Sequence, residues 1–112
     1  MSGIRAYGAY IPATRLPLSL IQGRPAKDGG PEKAVAHDDE DAVTMAVAAA
    51  LDCLTGFERS EIDGLLFAST SYGLREKQGA AIVAKALDLR RDVHTADLSG
   101  SLRAGTSALE AA

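Results

Sequence analysis

Tryptophan is absent from this sequence, and aromatic residues as a whole account for only 4% of it, so no large ring system is available to anchor an interior. Hydrophobic residues nevertheless make up 46% of the chain, with alanine prominent among them. A core of that composition comes from helices lying close on a sheet, where small side chains let backbones approach. Cysteine is nearly missing too. The single Cys53 excludes an intramolecular disulfide and fits a reducing compartment. An apolar run such as Ala46 to Leu51 falls far short of the roughly 20 residues that cross a bilayer, and the start, Met1-Ser2-Gly3-Ile4-Arg5, carries no cleavage signature. No lysine- or arginine-rich cluster occurs, and 12 basic against 15 acidic residues leave a formal net charge of −3. That balance argues against nucleic acid and against an anionic membrane surface as partners. The expectation is a cytoplasmic protein with no membrane association.

At 112 residues the chain is one domain at most, able to bury about two-thirds of its extended surface. Gly3 to Ile11, rich in β-formers and stopped by Pro12, reads as a first strand. Gly8 inside it marks a bulge or another backbone packed close. Pro12 to Pro31, rich in proline and glycine, reads as a loop with at most a short helical turn at Leu18–Gln22. After Glu32 to Asp41 comes a clear helix, in which Val43, Val47, Ala50/Leu51 and Leu54 recur at helical period. The acidic run before it suits the positive end of the helix dipole, and Gly56 is placed to cap its far end. Ile62 to Ser69 is a near-continuous apolar run of strand length, the pattern of a strand covered on both faces. A polar crossover, Thr70 to Glu76, leads to a second helix, Lys77 to Leu87, with Ala80, Val83, Ala84 and Leu87 on one face. Val93 to Leu98 is a further strand and Ser101 to Ala112 a third helix. Strands alternating with helices predict an α/β architecture with a mixed sheet flanked by helices and right-handed crossovers.

The turn between that last strand and helix organises the rest. Gly100 permits a bend closed to most residues, and such a turn aims backbone N–H groups and a helix N-terminus at whatever lies above it. Gly100 to Ser107 has the outline of a phosphate-binding loop, but Thr106 stands where that motif places lysine, so a structural turn is the stronger reading. Ser99, Ser101, Thr106 and Ser107 crowd the bend. No base for a serine nucleophile is identifiable in sequence, which favours hydroxyls that cap the helix. His37, Asp38, Asp39, Glu40 and Asp41 diverge around a helix start and do not converge on one ion, so no metal site is expected. His94 reads as a strand histidine and Cys53 as a packing cysteine at the wrong end of its helix for a lowered thiol pKa.

The order of elements and several phrases together resemble the N-terminal half of thiolase-superfamily condensing enzymes, with the nearest likeness to bacterial proteins similar to 3-hydroxy-3-methylglutaryl-CoA synthase and ketoacyl-ACP synthase III. The phrases are Gly3-Ile-Arg-Ala-Tyr-Gly-Ala-Tyr-Ile-Pro12, Glu32 to Ala36, Asp39 to Ala46, Phe67 to Thr70 and Asp97 to Leu109. The resemblance implies a thiolase-like layered fold and an acyltransferase acting on acyl-CoA or acyl-carrier thioesters, with no cofactor beyond that substrate. It also implies that the turn carries a nucleophilic cysteine, whose place is taken here by Leu102, and that an acid/base glutamate after the preceding strand is replaced by Thr70. On this reading Ser101 is the candidate nucleophile and Arg103 lies near acyl or phosphate oxygens, while Thr70, Ser99, Gly100 and Leu102 line the bound thioester. The paired loss at Leu102 and Thr70 raises the alternative of a non-catalytic acyl-CoA-binding or assembly paralogue that pairs with a catalytic partner. The ending Leu109-Glu110-Ala111-Ala112, without a capping glycine, gives the expectation that residues 1–112 are a partial domain cut within the third main helix. Such a piece leaves apolar faces uncovered and is expected to form homo- or hetero-oligomers.

Overall fold

The computed structural model describes residues 3–25 and 28–112. Its centre is a pair of parallel strands, β3 (Gly64–Ala68) and β4 (His94–Leu98), running in register from Gly64 opposite His94 to Ala68 opposite Leu98. Side chains alternate across a strand, so Leu65, Phe67, Thr95 and Asp97 share one face while Leu66, Ala68, Ala96 and Leu98 share the other. Helix α3 (Gly79–Ala86) connects the two strands and lies on the first face. Helix α2 (Ala42–Cys53) packs outside α3, and α4 (Ala104–Ala111) returns along β3 and β4. A separate antiparallel pair, β1 (Arg15–Pro17) with β2 (Glu32–Ala34), carries the four-residue helix α1 (Leu18–Ile21). The architecture is α/β, with parallel and antiparallel pairing in two separate ladders. Among the described residues no helix is long and apolar enough to cross a membrane.

The core is small. Phe67, Ala80, Val83 and Leu87 form its buried cluster, and Val43, Ala46, Val47 and Ala50 of α2, with Leu54 just beyond it, pack against them. The face expected on the second helix is therefore the buried one. Fully burying a side chain such as Val83 or Leu87 is worth about 1.5–3 kcal/mol. Within the pair Ala50/Leu51, Ala50 turns inward while Leu51 is 45% exposed. Helix α2 begins in a capping box: the Asp41 carboxylate accepts the Thr44 N–H at 2.8 Å, and the Thr44 hydroxyl accepts the Asp41 N–H at 2.8 Å. Its last turn is capped by the Leu54 backbone, and Gly56, two residues on, takes the left-handed φ of 84°.

Helix α3 has no cap of its own, since the Gln78 side chain makes no bond to the first turn. Its cap comes from across the sheet. Asp97 on β4 accepts the Gly79 N–H at 2.6 Å and the Ala80 N–H at 2.7 Å. These are two of the donors that a helix start leaves unpaired, and a carboxylate there also meets the positive end of the dipole. The Gln78 amide, meanwhile, donates to the Thr95 carbonyl at 3.0 Å and accepts from the Thr95 hydroxyl at 2.7 Å. Gly79 is needed at this junction, because a Cβ there would lie 2.7 Å from a ring carbon of Phe67.

Four expectations are corrected. Gly3 to Ile11 forms no ladder among the described residues and lies against α2 instead. A Cβ on Gly8 would come within 2.3 Å of the Cys53 nitrogen, so the close backbone anticipated at that glycine is a helix. The Asp52 carboxylate accepts the Ala9 N–H and the Glu40 carboxylate accepts the Tyr10 hydroxyl. Asp52 of α2 thus supplies, for the Ala9 N–H, a partner that a neighbouring strand would otherwise give. The stretch Pro12 to Pro31 is not loop alone, since it contains β1 and β2 follows directly at Glu32, while α1 falls where the short helical turn was expected; Ala26 and Lys27 of that stretch lie outside the described residues. The apolar run at β3 is not covered on both faces, since only Phe67 of the strand is buried. The last helix starts at Ala104, not Ser101, because Ser101 to Arg103 close a turn in which the Ser101 carbonyl accepts the Ala104 N–H.

Three outcomes follow from this packing. Asp97→Ala removes both cap bonds and should lower stability by about 1–3 kcal/mol, with Leu87→Ala at about 2–5 kcal/mol as the cavity reference. Urea melts that leave the Asp97→Ala midpoint at the wild-type value would refute the cross-sheet cap. Tyr10, through its bond to Glu40, and half-buried Tyr72, through desolvation and the charges of Asp97 and Asp41, are both held above the ordinary phenol pKa. A raised folded pKa stabilises the fold below the unfolded value of about 10 and loses that contribution as pH climbs through the folded one. Spectrophotometric titration should therefore show Tyr10→Phe and Tyr72→Phe each removing a late-ionising phenol. Ile4, Tyr7, Ile11, Leu102 and Leu109 are all more than two-thirds exposed, so light scattering of the 112-residue chain should show self-association; a compact monomer melting cooperatively would contradict it.

Candidate functional site

In a parallel pair both chains leave the ladder at the same end, and ligands of open α/β sheets bind beyond those carboxyl ends. The last ladder pair is Ala68 with Leu98, and the Ser69 N–H extends it by donating to the Leu98 carbonyl at 3.1 Å. Thr70 and the turn Ser99 to Arg103 therefore emerge at one edge. The residues the sequence singled out are brought to a common end of the sheet.

Their environment is open. Thr70, Ser99, Gly100, Ser101, Leu102 and Arg103 are all exposed, Leu102 to 95%. Gly100 adopts a φ of 79°, the left-handed conformation that favours glycine, so the chain reverses there as its composition required. The Ser101 hydroxyl accepts the Arg103 N–H at 3.1 Å. The bond closes the turn before α4 and does not cap it, so the expected capping of the first helical turn by these hydroxyls is not seen among the described residues. The hydroxyls of Ser99, Thr106 and Ser107 make no hydrogen bond among the described residues.

Neither histidine is placed as a base for Ser101. His94 sits at the opposite end of β4, about 13 Å of strand away at 3.3 Å per residue. His37 precedes α2 and its Nδ1 lies 3.1 Å from Asp39. The acidic run is divided among separate tasks, with Asp39 on His37, Glu40 on Tyr10 and Asp41 capping α2. Among the described residues no group of histidine, cysteine and carboxylate side chains could hold a metal ion. Cys53 is half-buried in the last turn of α2, with its backbone against Gly8.

Sequence reasoning missed one concavity. A cleft of about 530 Å³ opens between α1 and the β1–β2 connection, walled by Pro17, Leu18, Pro25 and Pro31 with Arg24 at its edge. The Ser19 hydroxyl is buried nearby without a hydrogen-bond partner. The signal was the proline density of this stretch, since Pro17, Pro25 and Pro31 all line the cleft. The turn at residues 99–103 does not contribute to this cleft.

No family model matches the chain. The hydroxymethylglutaryl-CoA synthase of Archaeoglobus fulgidus is 35% identical over 120 residues, a match covering 98% of this chain and 35% of that protein. Among solved structures, the HMG synthase of the curacin biosynthetic pathway, in complex with holo donor-ACP, superposes with a TM-score of 0.83 at 27% identity, over 98% of this chain and 29% of that one. The β-ketoacyl-acyl carrier protein synthase III of Thermus thermophilus gives a TM-score of 0.81 over 99% of this chain and 37% of that one; at 24% identity it shows a shared fold. The chain spans about a third of the length of the curated relatives it matches. Over these residues the chain is similar to the N-terminal part of thiolase-superfamily condensing enzymes, in sequence to hydroxymethylglutaryl-CoA synthases and in fold to ketoacyl synthase III.

Proposed function

We propose that this chain serves a hydroxymethylglutaryl-CoA synthase-like protein that handles acyl-CoA or acyl-carrier thioesters and forms no covalent acyl-enzyme at the turn of residues 99–103. The observation that carries the reading is Leu102, exposed at the lip of that turn in the place the resemblance gives to a reactive cysteine. Acyl transfer to the enzyme needs an ionisable or activated nucleophile, and an aliphatic side chain offers no lone pair. Thr70, in the place of the acid/base glutamate, has no proton that titrates near neutrality, a function worth roughly 10²–10⁴ in rate when present. The two replacements fall at the same end of the sheet, which supports a change of role at one site. What remains is a surface that binds a thioester or assembles with a catalytic partner, as a homo- or hetero-oligomer, and the reading calls for no cofactor beyond the thioester itself.

A second reading keeps acyl transfer and gives the attack to Ser101, with Arg103 neutralising charge on the acyl or phosphate oxygens. Its support is adjacency, since Ser101 is one residue from the lost sulfur position. Against it stand the bond that Ser101 already accepts from Arg103 and the distance to His94.

Incubating the whole protein with radiolabelled acetyl-CoA separates the two. The expected result is calorimetric binding with no turnover and no label retained after denaturation. Label that appears in the wild type and disappears in Ser101→Ala would establish the second reading and end the first. Leu102→Cys, which places a thiol in the turn before α4, should gain hydroxylamine-labile label where the wild type has none; an unlabelled variant that still binds the thioester would remove Leu102 from the reacting position.

A further inference from the structure

No further inference is drawn: the strongest candidate, the open outer edge of β4 together with the neighbouring Ala81, Ile82 and Lys85 face of α3, is an unpartnered surface and nothing in the structure shows what covers it.

Discussion

The clasp between the Asp97 carboxylate and the first turn of α3 is the contact on which the rest of this structure depends. It joins the end of β4 to the beginning of the helix that connects β3 to β4, so one side chain closes the whole strand–helix–strand unit. Both acceptor oxygens are used, on adjacent N–H groups, within a half-buried setting where such charge-assisted bonds are strong. With α3 fixed at its start, Ala80, Val83 and Leu87 are held over Phe67, and α2 can pack on the outside. The same carboxylate stands two residues before Ser99. The turn bearing the residues of functional interest therefore begins from an anchored strand.

Much of this was legible in the order of residues. The inward face of α3 and the stripe on α2 follow from helical spacing, because their larger apolar residues recur at intervals of three and four. The strands Gly64–Ala68 and His94–Leu98 lie within the runs read as extended, and Gly100 bends where only a residue without a side chain bends easily. The misreadings share one cause. Gly3 to Ile11 has the composition of a strand, but a strand is defined by a hydrogen-bonded neighbour, and composition does not say whether one is present. The short pair β1–β2 is the converse case: Arg15 to Pro17 and Glu32 to Ala34 have weak extended preference and are paired because the connection returns on itself. The role of Asp97 was invisible for the same reason, as its partners lie 17 and 18 residues away.

The site shows a similar division. That Thr70 and the turn after β4 share one end follows from parallel pairing, which the alternation of strands and helices implied. That the turn faces open surface does not follow, since it depends on what stands over it. Across the third of the relatives' length that this chain spans, the condensing-enzyme scaffold is matched, and the turn after β4 carries the aliphatic Leu102, with the neutral Thr70 beyond β3 at the same end of the sheet. Leu102 and Thr70 are both exposed, so neither contributes to packing, and the stability of the strand–helix–strand unit is decided elsewhere.

The approach of Gly79 to the ring of Phe67 ties the sizes of two positions together. No side chain fits at 79 while a ring occupies 67, and with a smaller residue at 67 an alanine at 79 would still press on the Tyr72 ring, 3.2 Å from its Cβ. Sequence drift at these two sites is thus a joint event: the volume given to the strand is withheld from the helix, and the pair sets how near the two elements can lie.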